Sequence, residues 1–202
     1  MIIDGGMSGR LIVFEGLDQS GKQTQAERLR DRFRANGHRA RLLSFPDYGT
    51  SIGEEIARAL QGEREYGADV MQLLYVANRY ERKDEMVAWL QGDITLICDR
   101  YVSSSLAYGE AQGLDPIWLI EIQKFLPKPD LTVLLDINPE TAVKRKSTER
   151  DKYERDLTLL SHVRESYKRQ VTDSWIEING ERPVDEVTED IYAAVSLRFG
   201  QQ

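Results

Sequence analysis

Seven consecutive residues constrain this chain more than any other feature. Gly16-Leu17-Asp18-Gln19-Ser20-Gly21-Lys22 follows the apolar run Leu11–Phe14 and leads into a segment of helical period. The two glycines, with four residues between them, let the backbone bend around an anion so that successive N–H groups point inward. The start of the following helix adds partial positive charge, and Lys22 reaches the outer phosphates of a bound triphosphate. Strand, glycine loop, Gly-Lys and helix in that order specify a phosphate-binding loop, and such a loop needs a strand before it and a helix behind it. Gly16, Leu17, Asp18, Gln19, Ser20, Gly21, Lys22, Gln23 and Thr24 are therefore the expected nucleotide cradle. The motif departs from its usual form after the lysine, where Ser or Thr normally supplies a hydroxyl to Mg²⁺. Gln23 stands there, and its side-chain carbonyl is an oxygen ligand of a type Mg²⁺ accepts. Thr24 would have to rotate by about 100° around the helix to take over.

The rest of the chain repeats the strand–helix alternation. Ala26, Leu29 and Phe33 mark a helix over Lys22–Asn36 that Gly37 ends, and Ala40–Phe45 reads as the next strand. Helical patterns cover Ser51–Gln61 and Ala68–Gln91. Short β-branched runs occupy Ile94–Cys98, Leu131–Ile137 and Trp175–Ile178. Leu157, Leu160, Val163 and Tyr167 mark another helix, and Val184–Phe199 a closing one. Strands separated by helices pair in parallel through helical crossovers, so an α/β fold with a parallel five-stranded sheet flanked by helices is expected. No repeat or low-complexity linker interrupts the pattern, which predicts a single domain over residues 10–202.

Composition excludes several classes. A net charge of -7 argues against a general nucleic-acid binder, which needs a basic footprint. No run approaches the ~18 apolar residues of a membrane span. Met1–Gly9 lacks the basic and apolar regions of a signal peptide and reads as a disordered leader, with Met7 as an alternative start. Cytoplasm is the expected location. The single cysteine, Cys98, follows Leu96 and Ile97 and reads as a buried core thiol.

A phosphate-binding loop serves kinases, GTPases and motors alike, so the remaining motifs decide the class. The guanine-reading Asn/Thr-Lys-x-Asp of a GTPase is missing. Phe45-Pro46, Leu74-Tyr75-Val76-Ala77-Asn78-Arg79, Asp99-Arg100-Tyr101, Leu126-Pro127-Lys128-Pro129-Asp130-Leu131 and Lys152-Tyr153-Glu154 stand in the order and spacing of the thymidylate kinases, a family of P-loop nucleoside-monophosphate kinases. The chain resembles that family from about Leu11 to Glu154.

The resemblance implies transfer of the γ-phosphate of ATP to dTMP, giving dTDP and ADP on the way to dTTP, with Mg²⁺ as cofactor and a homodimer as the assembly. It implies that the ring at Tyr75 stacks on thymine and that Arg79, one helical turn on, bonds an exocyclic oxygen of the base. By the same resemblance Asp99 organises Mg²⁺ through water, Arg100 grips the acceptor phosphate, and Asp18 touches the deoxyribose 3′-hydroxyl. Ser104, Ser105, Tyr108 and Tyr153 would line the nucleoside pocket, with Phe45 and Pro46 packing on the acceptor side. Some relatives carry an arginine soon after this proline. Asp47-Tyr48 stands here, which leaves the acceptor phosphate short of one cation.

Phosphoryl transfer needs alignment and charge neutralisation more than covalent help. Thymidylate kinases take a cation either from an arginine in the phosphate loop or from a basic lid. Gln19 fills the loop slot, so the lid, about residues 144–154, is expected to supply Arg150 or Lys152, with Arg145 against adenine. Neither His38 nor His162 is assigned to catalysis. Two other readings stay open: a kinase for another pyrimidine nucleotide or nucleoside, and a catalytically weak nucleotide-binding regulator, the latter suggested by Gln19, Gln23 and the missing arginine.

Overall fold

The computed structural model describes residues 9–145 and 157–200. The expected leader, apart from Gly9, lies outside them, as do Arg150, Lys152 and Tyr153 of the expected lid. Gly9 is buried, and its N–H donates to the carbonyl of Leu90 at 3.1 Å. The last residue of the expected leader is therefore part of the packed fold.

Five strands, β1 (Leu11–Glu15), β2 (Ala40–Ser44), β3 (Thr95–Asp99), β4 (Leu131–Asp136) and β5 (Trp175–Asn179), form one sheet in the order β2-β3-β1-β4-β5. Every neighbouring pair is parallel. The helices between them are α1 (Lys22–Ala35), α2 (Ser51–Leu60), α3 (Ala68–Gln91), α4 (Val102–Ala111), α5 (Pro116–Glu121), α6 (Pro139–Arg145), α7 (Leu157–Gln170) and α8 (Val184–Phe199). The expected strands and long helices are all present, with ends that move by a residue or two. The short α5 and α6 carry too few turns for a helical period to show.

The sheet is covered on both faces, which is why β1 and most of β4 are apolar without alternation. On one face Ile12, Phe14, Ile97 and Val133 pack against Ala26, Leu29 and Phe33 of α1 and Val187, Ile191 and Val195 of α8. On the other, Leu11, Val13, Leu96 and Cys98 pack against Met86 and Leu90 of α3. Leu134 meets Ala107 of α4 and Leu160, Val163 and Tyr167 of α7 on that same side. Cys98 is buried as expected, and burial pushes its thiol far above the ordinary range, so it stays protonated.

Register sets the functional edge. Phe14 stands opposite Asp99, the N–H of Arg100 donates to the carbonyl of Phe14 at 2.9 Å, and the N–H of Phe45 donates to the carbonyl of Asp99 at 2.9 Å. The phosphate loop after β1, the Phe45–Pro46 turn after β2 and Asp99-Arg100 at the end of β3 thus emerge side by side at the carboxyl edge, where open α/β sheets bind ligands.

Candidate active site

The phosphate loop has the backbone that its glycines make possible. Gly16 adopts φ 138°, and a Cβ there would run into the carbonyl oxygen of Leu135. Gly21, the N-cap of α1, adopts φ 94°. Gln19 takes φ 64° with a side chain present, a conformation that costs an L-residue roughly 1–2 kcal/mol. The first turn of α1 has no side-chain cap and no acidic residue. Its N–H groups and its dipole are left to an anion from outside the helix. Lys22 is buried, and its Nζ donates to the carbonyl of Leu17 at 2.7 Å and to Ser20 Oγ at 3.4 Å, which holds the ammonium inside the loop. Thr24 lies on the exposed side of α1. Arg145, at the end of α6, reaches the loop by donating to the carbonyl of Gln19 at 3.3 Å.

Asp99 faces this loop from β3. Burial raises its carboxyl above the ordinary value, Lys22 opposes the rise, and Glu15 and Glu27 add to it. Its Oδ1 is buried without a hydrogen-bond partner among the described residues. A buried carboxylate oxygen lacking a donor, with acidic neighbours, is an environment that a divalent cation would relieve. Gln23 is exposed, and its amide nitrogen donates to Glu27 Oε1 at 3.0 Å, which leaves its carbonyl oxygen as the end open to a metal-bound water. The donor set fits Mg²⁺ held chiefly by nucleotide phosphates. Among the described residues no three His, Cys, Asp or Glu side chains form a metal cage.

Beside the loop opens a cleft with about 140 Å³ of water-accessible interior. Every described residue expected to contact the acceptor lines it: Asp18, Phe45, Pro46, Tyr75, Arg79, Arg100, Ser104, Ser105 and Tyr108. Arg100 carries φ 66°, ion-pairs with Asp18, and lies with its guanidinium carbon 5.4 Å from the centre of the Tyr108 ring. Arg79 projects from α3 on the same side as Tyr75. It is 3% exposed, and its Nη1 donates to Ser105 Oγ at 2.7 Å and Gln123 Oε1 at 3.0 Å, while its Nε is buried without a partner among the described residues. Burial pulls this guanidinium below its ordinary value and the Glu15 carboxylate partly restores it. Arg79 is thus a buried cation at the inner end of the cleft, not a solvated surface charge.

The turn that frames the cleft is pinned to α3. Asn78, fully buried, accepts from the N–H of Asp47 at 2.7 Å and donates to the Asp47 carbonyl at 3.1 Å and to Thr50 Oγ1 at 2.8 Å. Asp47 in turn accepts from Arg82 at 2.7 Å, so the acid that follows Pro46 is neutralised away from the cleft while Tyr48 lines it.

Sequence reasoning missed the residues behind the cleft. Gln123 braces Arg79, Gln72 and Leu60 line the wall, and Glu15 and Tyr167 stand behind Arg100. Only Glu15, an acid ending an otherwise apolar strand directly before the loop, carried a visible signal. The others sit on helices or, for Gln123, in the turn after α5, where nothing but the packing separates them from ordinary positions.

Comparison with known proteins points the same way. A profile of the family described as "Thymidylate kinase" matches residues 14–191. The chain is similar to the thymidylate kinase of Arabidopsis thaliana, 37% identical over 187 residues that cover 93% of this chain and 71% of that one. It is similar to the Homo sapiens thymidylate kinase, 33% identical over 186 residues covering 91% and 88%. Among solved structures, a thymidylate kinase from Candida albicans superposes with a TM-score of 0.86 at 29% identity, covering 96% of this chain and 94% of that one.

Proposed function

The chain belongs to the thymidylate kinase family and transfers the γ-phosphate of ATP to dTMP, giving dTDP and ADP; we propose that it does so with dTMP in the cleft before Arg100 and ATP on the Gly16–Lys22 loop. The observation that carries this division is the convergence of Asp18, Arg79 and Arg100 on one cleft, with Lys22 and the start of α1 beside it. The loop N–H groups and Lys22 cradle the donor phosphates. Arg100, held at the edge shared by the two sites, orients an acceptor phosphate oxygen toward the γ-phosphorus. The acceptor is already an anion, so the protein needs no strong base and contributes alignment and positive charge.

Asp99 and Gln23 would hold Mg²⁺ through its waters, and the ion would offset phosphate charge there. Tyr75 supplies a flat ring for the base, and Arg79 a donor to its exocyclic oxygen. The remaining cation comes from Arg150 or Lys152, with Tyr153 near the nucleoside. Arg150→Ala or Lys152→Ala lowers kcat by about 10²-fold, the cost of losing one transition-state donor. Unchanged turnover in both variants removes this assignment.

The reading extends to a homodimer through helix packing, supported by exposed Val70 and Leu73 on α3 and Ile117 and Ile120 on α5. Light scattering that returns a monomer rejects it. Single-domain organisation over residues 10–202 and a cytoplasmic location belong to the same proposal. No described helix is long and apolar enough to cross a membrane.

Coupled ADP release with ATP, Mg²⁺ and each of dTMP, dUMP, dCMP, AMP and thymidine tests the acceptor site. Preference for dTMP is the expected result. Preference for another acceptor overturns the roles given to Tyr75 and Arg79, and no turnover with any of them favours the regulatory alternative. Broad substrate specificity is described for the Candida albicans enzyme, so the panel also measures how strict this chain is.

A further inference from the structure

Arg100 is held through both terminal nitrogens, and Nη2 meets Asp18 and, at 3.5 Å, the Tyr108 hydroxyl, both in the wall of the cleft. Behind it, Nη1 donates to Ser104 Oγ at 3.1 Å, to the Gly16 carbonyl at 3.3 Å and to the Tyr167 hydroxyl at 3.4 Å. Ser104 and Tyr167 converge on one carboxylate. Glu15, 0% exposed, accepts at Oε2 from Ser104 Oγ at 2.6 Å and from the Tyr167 hydroxyl at 3.1 Å. Its Oε1 accepts from the N–H groups of Tyr101 at 2.9 Å and Ser104 at 3.2 Å. Glu15 thereby caps the start of α4, which receives no cap from the side chain of its own N-cap residue, Tyr101.

The direction of these bonds follows from proton counting. A guanidinium only donates, so Ser104 and Tyr167 must face Arg100 with lone pairs. Each hydroxyl has one proton, which has to go elsewhere. A carboxylate only accepts, and Glu15 takes the Ser104 proton directly. The Tyr167 proton goes to Glu15 or to Ser104 Oγ, 2.9 Å away. Burial and the Glu15 charge push the Tyr167 phenol well above its ordinary value, so it keeps that proton.

We infer that Glu15, acting through Ser104 and Tyr167, is the positioning residue that fixes Arg100 for the acceptor phosphate. The inference rests on the proposed role of Arg100. The carboxylate never meets substrate. It polarises two hydroxyls so that both point their acceptors at one guanidinium nitrogen, and it anchors the turn on which Arg100 sits at positive φ. Glu15→Gln keeps the volume but introduces a donor that competes for the same lone pairs. Tyr167→Phe is milder, removing one acceptor and retaining the ring.

The test is a double-mutant cycle on the purified full chain, with Glu15→Gln, Tyr167→Phe, Arg100→Lys and the pairwise combinations. The expected result is a loss of about 10²-fold in kcat/KM for dTMP in Glu15→Gln, the scale for misplacing a reacting group. KM for ATP should stay within about twofold, and Glu15→Gln should add almost nothing to Arg100→Lys. Tyr167→Phe should show the same non-additivity with a smaller loss, and it decides the matter if Glu15→Gln does not fold. Additive losses, or equal losses toward ATP and dTMP, overturn the inference while leaving Arg100 in its role. If Arg100→Lys leaves dTMP kinetics unchanged, the role of Arg100 itself falls and the inference falls with it.

Discussion

Asp18 and Arg100 form an ion pair that joins the phosphate loop to the end of β3 across the acceptor cleft. A single carboxylate therefore has two partners in prospect, the guanidinium it already holds and the sugar 3′-hydroxyl that the family resemblance gives it. Asp18→Asn separates them. It should lower kcat/KM for dTMP by about 10–100-fold, the worth of a hydrogen bond to a charged group. It should also shrink the preference of the enzyme for dTMP over its 3′-deoxy analogue. Steady-state kinetics with both acceptors checks this. A variant that still discriminates as the wild type does would leave Asp18 as a counter-ion for Arg100 and nothing more.

Arg79 offers a second test, because its support is as specific as its placement. Gln123 donates its amide nitrogen to the Leu119 carbonyl at 2.9 Å, which fixes the amide so that Oε1 meets Arg79. Gln123→Leu keeps the bulk and removes that acceptor. KM for dTMP should rise by about tenfold through the freed guanidinium, with KM for ATP unchanged. Parallel changes in both constants would show that Gln123 supports the fold alone.

How far the sequence reached is clearest at these two arginines. The loop from Gly16 to Lys22 was legible because glycines at fixed spacing and a lysine before a helix have few other uses. The centre of the sheet was legible because the buried parallel strands β1, β3 and β4 are nearly continuous apolar runs, while the edge strands β2 and β5 carry Arg41 and Glu177 among their apolar residues. Periodicity could place Tyr75 and Arg79 on one side of α3, but it could not show that Arg79 is buried. That depends on Ser105 and Gln123, residues 26 and 44 positions away. The positive φ at Arg100 was equally hidden, since nothing in Asp99-Arg100-Tyr101 requires it. It follows from the register of β3 on β1 and from the bonds behind the guanidinium.

Asp99 sets function against stability. Burial raises its carboxyl, and Oδ1 lacks a donor among the described residues, so the charged form is disfavoured in the folded chain. For an acid raised on folding, the associated stability is present below the unfolded value and lost as pH rises through the folded one. Asp99→Asn removes the buried charge. Without nucleotide its Tm near neutral pH should exceed that of the wild type by about 2–4 °C, the effect of ~1 kcal/mol in a chain of this length. Activity should fall by about 10²-fold. Calorimetry at pH 7 with and without Mg²⁺ and ATP checks it, and a lower Tm in the unliganded variant would contradict the account.

The Asp136–Arg164 pair should set the acid limit of stability. Arg164 Nε and Nη2 reach the two oxygens of Asp136 at 2.6 Å and 2.8 Å, and Lys168 Nζ lies 3.0 Å from Oδ2. The pair ties α7 to the carboxyl end of β4. Burial alone would push the Asp136 carboxyl up, but the hydrogen bonds from Arg164 and Lys168 outweigh it and hold the group below its ordinary value. The unfolded chain then binds the proton more readily than the folded one. The pair's contribution is present above the unfolded value of about 3.9 and disappears as pH falls through the folded one. Lys168 is half exposed, so solvent screens its share and the total is about 1 kcal/mol. Arg164→Met should lower Tm by about 2–4 °C at pH 7, and the two melting curves should converge as the buffer is taken below about pH 4. Curves that stay parallel below that pH, as Asp136 takes up its proton, would mean that the loss comes from packing of the arginine stem and not from the charge it places on Asp136.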